Sequence, residues 1–600
     1  MFRRCVSFVI LLGLILANRT SLRAADNSTL DARRAQLNQL LKDEWEYHLK
    51  EEPESATVFG DYRYNDRWSD GSLAHVQQQK RDAQEWLSKF EALDTSGFTE
   101  QEKLSQGLIV RNLNQRLEGI ELKTYEMPLD QFNGAHLQVA QFIAIIPFNT
   151  TKQYEDYLSR LEHIPALFDQ LIEVLRQGEK DHLMPPRFLL EKTVTQCKSI
   201  ADPAGEANPF GHPVAKFPDS VPEADRKRLH DAIIAAVDSE VRPAYRKLAD
   251  FIATEYAPKG RAEPGVWSLP DGDARYRFSI RRLTTTNMDP EDIHRLGLKE
   301  VARIEAEELA IAKQLGFADL KSFRAAVRDN PKLLATSREQ ILDKYRGYIA
   351  QMQPELPKLF GLLPKTPLEV RPVQEFREKE AAAASYTTGT PDGSRPAIVY
   401  VNTGDYSHRS FITIETTAYH EGVPGHHMQI AIAQALPELP AFRQHGFFSA
   451  YSEGWALYAE RLGEDTGFFQ DPYSRYGHLD AEMLRAVRLV VDTGVHYKHW
   501  TRQQMVDFFH EHSSADEPSV QAETDRYIAW PAQALGYKLG QLEILKLRER
   551  AQKELGSRYD IRAFHDEILD GGPLPLDVLD GRVTAWIESQ KAGGANAGQE

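Results

Sequence analysis

The sequence predicts a mainly α-helical protein with one small β-sheet placed just ahead of its most chemically loaded helix. Three observations carry this prediction. Apolar residues recur at spacings of three and four along most of the chain. Alternating β-prone segments are confined to 368–401. No internal repeat marks a solenoid.

The elements follow in order. Met1-Phe2-Arg3-Arg4 is a basic start, and Cys5 to Ala17 is an apolar run too short to span a bilayer comfortably. Ala24 and Ala25 offer a cleavage point, although Arg23 fits the −3 position poorly. Residues 1–25 therefore read as an export signal, with a periplasmic or extracellular destination. A membrane enters as a partner only if this segment is retained, and Cys5 lies at the start of the apolar run, where a lipobox cysteine would not be. Once the signal is removed only Cys197 remains, so no intrachain disulfide forms and any metal must be held by His and carboxylate.

Helical patterns occupy about 30–52, 75–92, 100–118 and 151–178. The five prolines of 202–222 predict a loop between helices. Leu229, Ile233, Val237, Val241 and Tyr245 mark another helix, in which Pro243 predicts a kink. A further helix has Asp289 as its cap, Pro290 in its first turn and Gly316 at its close. Strands are expected at Leu368–Val373, Ala384–Thr388 and Ala397–Val401, with Gly389 to Ser394 as a turn. The small, polar tail 591–600 reads as disordered. Residues 26–590 read as a single large domain whose catalytic part covers about 365–560. The net charge of −16, from 88 acidic and 72 basic residues, argues against a nucleic-acid partner.

Chemistry concentrates in Tyr419-His420-Glu421-Gly422-Val423-Pro424-Gly425-His426-His427. A hydrolytic zinc site needs three protein ligands, an open position and a nearby base. The familiar H-E-x-x-H motif sets two histidines one helical turn apart. Here Pro424 takes the second histidine's place, leaving His426 at i+6 and His427 at i+7. Neither converges with His420 on a regular helix. Gly422, Pro424 and Gly425 permit a two-residue bulge, which brings His426 to the i+4 position and makes it the preferred ligand over His427. Glu421 is the candidate base. The third ligand is expected from Ser452-Glu453-Gly454-Trp455-Ala456-Leu457-Tyr458-Ala459-Glu460: Glu453 first, with Glu460 as a rival or as a carboxylate standing behind a ligand. Zinc is the expected cofactor, about one per chain.

Downstream, Arg488, Asp492 and His496 share a helix face. They read either as an Asp-oriented His facing the cleft or as a structural ion-pair stripe. Tyr527 and Tyr537 are candidates to hydrogen-bond an oxyanion, and Lys538 to pair a substrate carboxylate; core packing is the competing reading for the tyrosines.

His-Glu-Gly-x-Pro-Gly-His-His, Glu-Gly-Trp-Ala-Leu-Tyr and Gln-Ala-Leu-x-Tyr-Lys, in that order, resemble the bacterial domain-of-unknown-function family 885, over about residues 35–590. That family is similar to gluzincin metallopeptidases, which implies a large helical cleft fold with a small sheet beside the zinc helix. The resemblance also implies that an edge strand pairs with substrate backbone, a role that falls here to Ser385 and Tyr386. The resulting expectation is zinc-dependent hydrolysis of short peptides, with His420, His426 and Glu453 on the metal. Glu421 would act as base, with Tyr537 or His496 at the oxyanion. Arg488, Lys538 and Arg526 are candidates for a peptide's C-terminal carboxylate, so exopeptidase or dipeptidase action is expected. The alternatives are a catalytically silent peptide-binding protein on the same fold, and metal-dependent hydrolysis of a non-peptide amide or ester.

Overall fold

Helices start where the sequence supplies caps. In the computed structural model, which describes residues 29–596 apart from 375–377, 379–380, 390–395 and 437–438, Thr29 caps α1 (Leu30–Glu51) and Ser72 caps α2 (Leu73–Glu91). Thr99 and Glu102 form a reciprocal capping box on α3 (Glu100–Glu121). Thr150 and Gln153 do the same for the long helix Thr151–Lys180. The export segment 1–25 and most of the turn 389–394 lie outside the described residues. None of the described helices is long and apolar enough to cross a membrane.

The architecture is mainly α with a single three-stranded sheet among the described residues. Apolar faces of α1, α2 and α3 meet in a small core of Leu37, Leu41, Phe90, Ile109 and Leu113. A second core, built by 129–257, is closed by Phe168, Tyr245 and Tyr256. The kink expected at Pro243 takes the form of a π-helical turn at Val237–Val241, after which Arg242–Phe251 continues as α-helix. The wider π turn lets proline sit at the start of the new α segment, where its missing N–H costs nothing. The Pro-rich 202–222 holds only short turns of helix. α4 (Gly272–Thr284) follows, and then Asp289 caps Pro290–Gln314 as the sequence indicates.

The sheet comprises β1 (Leu368–Pro372), β2 (Ala384–Thr387) and β3 (Ala397–Val401), ordered β1-β3-β2. β3 is central and almost wholly buried, parallel to β1 and antiparallel to β2, and these two strands form the edges. Beyond it come α5 (Ile414–Glu421), α6 (His426–Gln434), α7 (Ser449–Asp465), α8 (Pro472–His496) and α9 (Leu535–Leu555). α7 and α9 pack in backbone contact through Gly454 and Gly540. A Cβ on Gly540 would collide with the Ala450 carbonyl, and one on Gly454 with the backbone of Gly540. This contact fixes the depth of Glu453, the neighbour of Gly454. The terminal helix Leu576–Asn596 extends past the point where the tail reads as disordered. Lys591 pairs there with Glu554 and Glu588, which extends its helical contacts.

Candidate metal centre

α5 ends at Glu421, and the chain turns through Gly422, a cis Val423–Pro424 peptide and Gly425 before α6 starts at His426. The turn folds back on the end of α5. Gly425 N donates to Tyr419 O at 3.0 Å and His427 N to Gly422 O at 3.2 Å. A Cβ on Gly425 would collide with the Tyr419 and His420 carbonyls, so only glycine allows this approach. The expected two-residue bulge is therefore a helix stop and restart. Pro424 and the glycines end one ladder, and the second histidine opens the next.

This turn sets the imidazoles of His420 and His426 at 87° to each other with centroids 4.9 Å apart. Glu453, one turn into α7, points its carboxylate between them. Its Oε2 lies 3.6 Å from His420 Nε2 and 3.7 Å from His426 Nε2. One ligand atom from each of the three lies within 4.8 Å of the others. Two imidazole nitrogens and one carboxylate oxygen converging in a largely buried place are a donor set that suits zinc.

Behind the trio, Glu460 Oε1 accepts from His420 Nδ1 at 2.8 Å, and Oε2 accepts from Thr416 Oγ1 at 2.6 Å. With Nδ1 donating, His420 presents Nε2 to the other two groups. Burial alone would lower the His420 pKa, but the carboxylates of Glu453 and Glu460 outweigh it and hold it up at about 10. Burial likewise raises Glu453, and the two imidazoles reverse that, leaving it well below the usual carboxylate range. His426 has no such orienting partner: its Nδ1 is buried without a hydrogen bond among the described residues. Trp455 secures the turn from the other side, its Nε1 donating to Pro424 O at 2.9 Å. The Glu-Gly-Trp motif thus supplies both a member of the trio and a clamp on the loop that carries another.

Glu421 is half-buried at the end of α5. It forms no hydrogen bond or ion pair among the described residues, while its charge is felt by His420 and Tyr345. His427 points elsewhere: it contacts the Tyr386 hydroxyl at 3.3 Å and the Thr366 backbone, and burial lowers its pKa to about 4. On edge strand β2, Tyr386 is half-buried against His427 and Ser385 is exposed.

Glu453 also lines a cavity of about 840 Å³. Val76 and Gln79 of α2, Asn112 and Arg116 of α3, and Phe278, Phe448 and Trp530 line it as well. Glu453 thus faces a cleft to whose wall the N-terminal helices α2 and α3 contribute.

Several downstream candidates are placed otherwise than the sequence suggested. His496 has no nitrogen to spare: Nδ1 accepts from Val266 N at 3.2 Å and Nε2 donates to Tyr527 O at 2.9 Å. Burial lowers its pKa to about 3. Asp492 does not orient it, but accepts from the Tyr276 hydroxyl at 2.6 Å and from Ala532 N. Arg488 donates to the Tyr527 hydroxyl at 2.7 Å and pairs with Glu523 at 3.0 Å, so both Arg488 and Tyr527 are internally committed. Arg526 also pairs with Glu523. Lys538 is fully buried between Glu482 at 2.6 Å and Glu300 at 3.1 Å. These groups had to satisfy one another because burial leaves an unpaired charge too costly. Tyr537 differs: the Arg488 guanidinium sits 4.6 Å from its ring centroid, and its hydroxyl makes no hydrogen bond among the described residues.

The chain is similar to the crystal structure of the "putative lipoprotein" from Colwellia psychrerythraea, with 29% identity, a TM-score of 0.85, and coverage of 93% of this chain and 99% of that one. The "putative lipoprotein of unknown function" from Shewanella oneidensis shares the fold at 18% identity and a TM-score of 0.70, covering 92% of this chain and 99% of its own. No curated protein matches. Residues 53–583 match the family described as "Bacterial protein of unknown function (DUF885)", and the chain belongs to that family.

Proposed function

We propose that this protein is an exported zinc metallopeptidase of gluzincin type that hydrolyses short peptides, acting near a chain end. The observation that carries the reading is the convergence of His420, His426 and Glu453 beside the uncommitted carboxylate of Glu421. When bound, zinc supplies Lewis acidity toward a carbonyl and makes nearby water more acidic. The residues supply the rest. Glu421 takes a proton from the attacking water and passes it to the departing amine. Glu460 holds His420 in one tautomer. The Tyr537 hydroxyl is free to donate to a developing oxyanion, a role that His496 and Tyr527 are too committed to fill. β2 offers edge backbone for an extended peptide. The cleft favours short or unfolded chains over folded proteins. Two structural neighbours described as putative lipoproteins support export.

The test is metal analysis of purified protein together with digestion of a peptide library. About one zinc per chain is expected. Glu421→Gln should keep the zinc and lose about 10²–10⁴-fold in turnover. Peptide binding without cleavage by the zinc-loaded wild type would favour a silent binding protein. Cleavage of amides or esters but not peptides would move the substrate class.

A further inference from the structure

α4 carries four arginines, and the fold treats them in two ways. Arg277 pairs with Asp273 and Asp289, both at 2.9 Å, and Arg281 pairs with Glu118. Arg275 and Arg282, seven residues apart and therefore on one helix face with Phe278 between them, form no ion pair among the described residues. That face looks into an inner compartment of about 160 Å³, lined by Met127, Leu269, Phe278, Ile528 and Trp530. A third guanidinium without an ion pair among the described residues, Arg261, lines the same compartment. Among the described residues that line it, Asp130 alone is acidic, and its Oδ1 accepts the Phe132 and Asn133 amides, each at 2.7 Å.

Arg282 stands at a junction. It lines both this inner compartment and the larger cavity that contains Glu453, sharing both with Phe278, Thr124 and Trp530. Arg275 and Arg261 are tethered to backbone carbonyls, of Pro270 and Gly265 respectively. Arg282 makes no hydrogen bond among the described residues and keeps solvent access. Surrounding protein nonetheless lowers its pKa, as expected for a group standing inside a cleft. In a chain of net charge −16, where most arginines have found a carboxylate, three that have not and that meet in one cavity mark a place built for an anion.

We propose that Arg282 binds a carboxylate of the substrate, the free C-terminus of a peptide, and that the inner compartment receives the adjoining apolar side chain. A guanidinium holds a carboxylate in two parallel hydrogen bonds. The identity of the ligand as a peptide rests on the proposed peptidase reading; the anion preference does not. The carboxylate anchor therefore lies on α4, not on the internally paired Arg488, Arg526 or Lys538.

The experiment measures equilibrium binding to zinc-loaded Glu421→Gln protein, so that no turnover is needed. The probes are the tripeptide Ala-Ala-Phe, its C-terminal amide, and the amide of Ala-Ala-Glu. Binding of the free acid at least about tenfold tighter than Ala-Ala-Phe amide is expected, a difference of about 1.4 kcal/mol. Arg282→Ala should abolish that preference and leave binding of the amide unchanged. Arg282→Gln serves if the alanine variant does not fold, with the melting temperature as the check, and Arg281→Ala should retain the preference. If Ala-Ala-Glu amide binds as tightly as the free acid, and through Arg282, carboxylate recognition stands with the side chain as its source. Equal binding of all three probes, or equal weakening of acid and amide by Arg282→Ala, overturns the proposal. Loss of peptidase activity in every assay, with the Arg282-dependent preference intact, would overturn the hydrolytic reading and leave the anion site standing.

Discussion

Two groups of charged and imidazole side chains sit on neighbouring helices of the C-terminal half, and they have opposite fates. Around α5, α6 and α7, His420, His426 and Glu453 direct their ligand atoms at one another across gaps of 3.6–3.7 Å, with Glu421 beside them. These gaps are too long for good hydrogen bonds and suit an atom placed between them. Along α8, Arg488, Asp492 and His496, with Lys538 of α9, are satisfied at 2.6–3.2 Å by Tyr527, Tyr276, Val266, Ala532 and Glu482. The first group holds its polar atoms in reserve; the second has used them to hold helices together. Polarity and burial do not separate function from scaffold here. What separates them is whether the polar atoms are already partnered.

The contrast can be broken most directly by truncation. His426→Ala should empty the metal site, and should lower the melting temperature of the metal-free protein only through the lost support of Glu453, because its Nδ1 has no hydrogen bond among the described residues. His496→Asn should do the reverse, with zinc content and turnover per folded molecule retained. The melting temperature should fall as about 1–3 kcal/mol of buried hydrogen bonding is lost. Full zinc in His426→Ala would remove it from the ligand set, and loss of zinc in His496→Asn would collapse the distinction. Between the two groups stands Glu460, which touches His420, a proposed ligand, but not the proposed metal position. Glu460→Gln should weaken zinc affinity about 10–100-fold by competition against a chelator, with turnover restored at saturating zinc.

Acid sharpens the comparison further. Burial lowers the pKa of His496 and His565 to about 3 and of His427 to about 4, so all three fold as neutral groups. The unfolded chain takes up protons below about pH 6.5, and the folded protein does not until about pH 3–4. Each of the three therefore costs stability as pH falls through that window, by at most about 1.4 kcal/mol per pH unit. His420 has the opposite sign. With its folded pKa at about 10, its contribution in the metal-free protein is fully present below about pH 6.5 and is lost as pH rises through 10. Melting temperatures of the metal-free protein against pH should lose part of their acid slope in His496→Asn and part of their alkaline slope in Glu460→Gln. An unchanged acid slope would mean His496 is not held neutral.

Much of this arrangement could be read from the sequence where the determining contacts are local. Capped helices, the three strand segments and the His-Glu-Gly-x-Pro-Gly-His signal all depend on residues a few positions apart, and the trio spans only 420–453. The stripe on α8 misled for a physical reason. Spacing of four puts Arg488, Asp492 and His496 on one face, but the identity of what that face meets is set by Val266, Tyr276 and Tyr527, brought in from distant parts of the chain. Arg281 and Arg282 are the sharpest case. Adjacent and chemically identical, they are distinguished only because the fold gives one Glu118 and turns the other to the cleft. The tie from Trp455 to Pro424 likewise has no signature beyond the two motifs lying near each other in sequence.

Part of the wall of the cavity that Glu453 lines belongs to α2 and α3, roughly 300 residues earlier in the chain than the trio. On the proposed peptidase reading, this part of the substrate cleft is encoded apart from the chemistry, with Arg282 lying between the two. On that reading, exchanging Val76, Gln79, Asn112 and Gln115 should alter which peptides enter and leave the zinc content unchanged. A library confined to those four positions is then the economical route to a new substrate range.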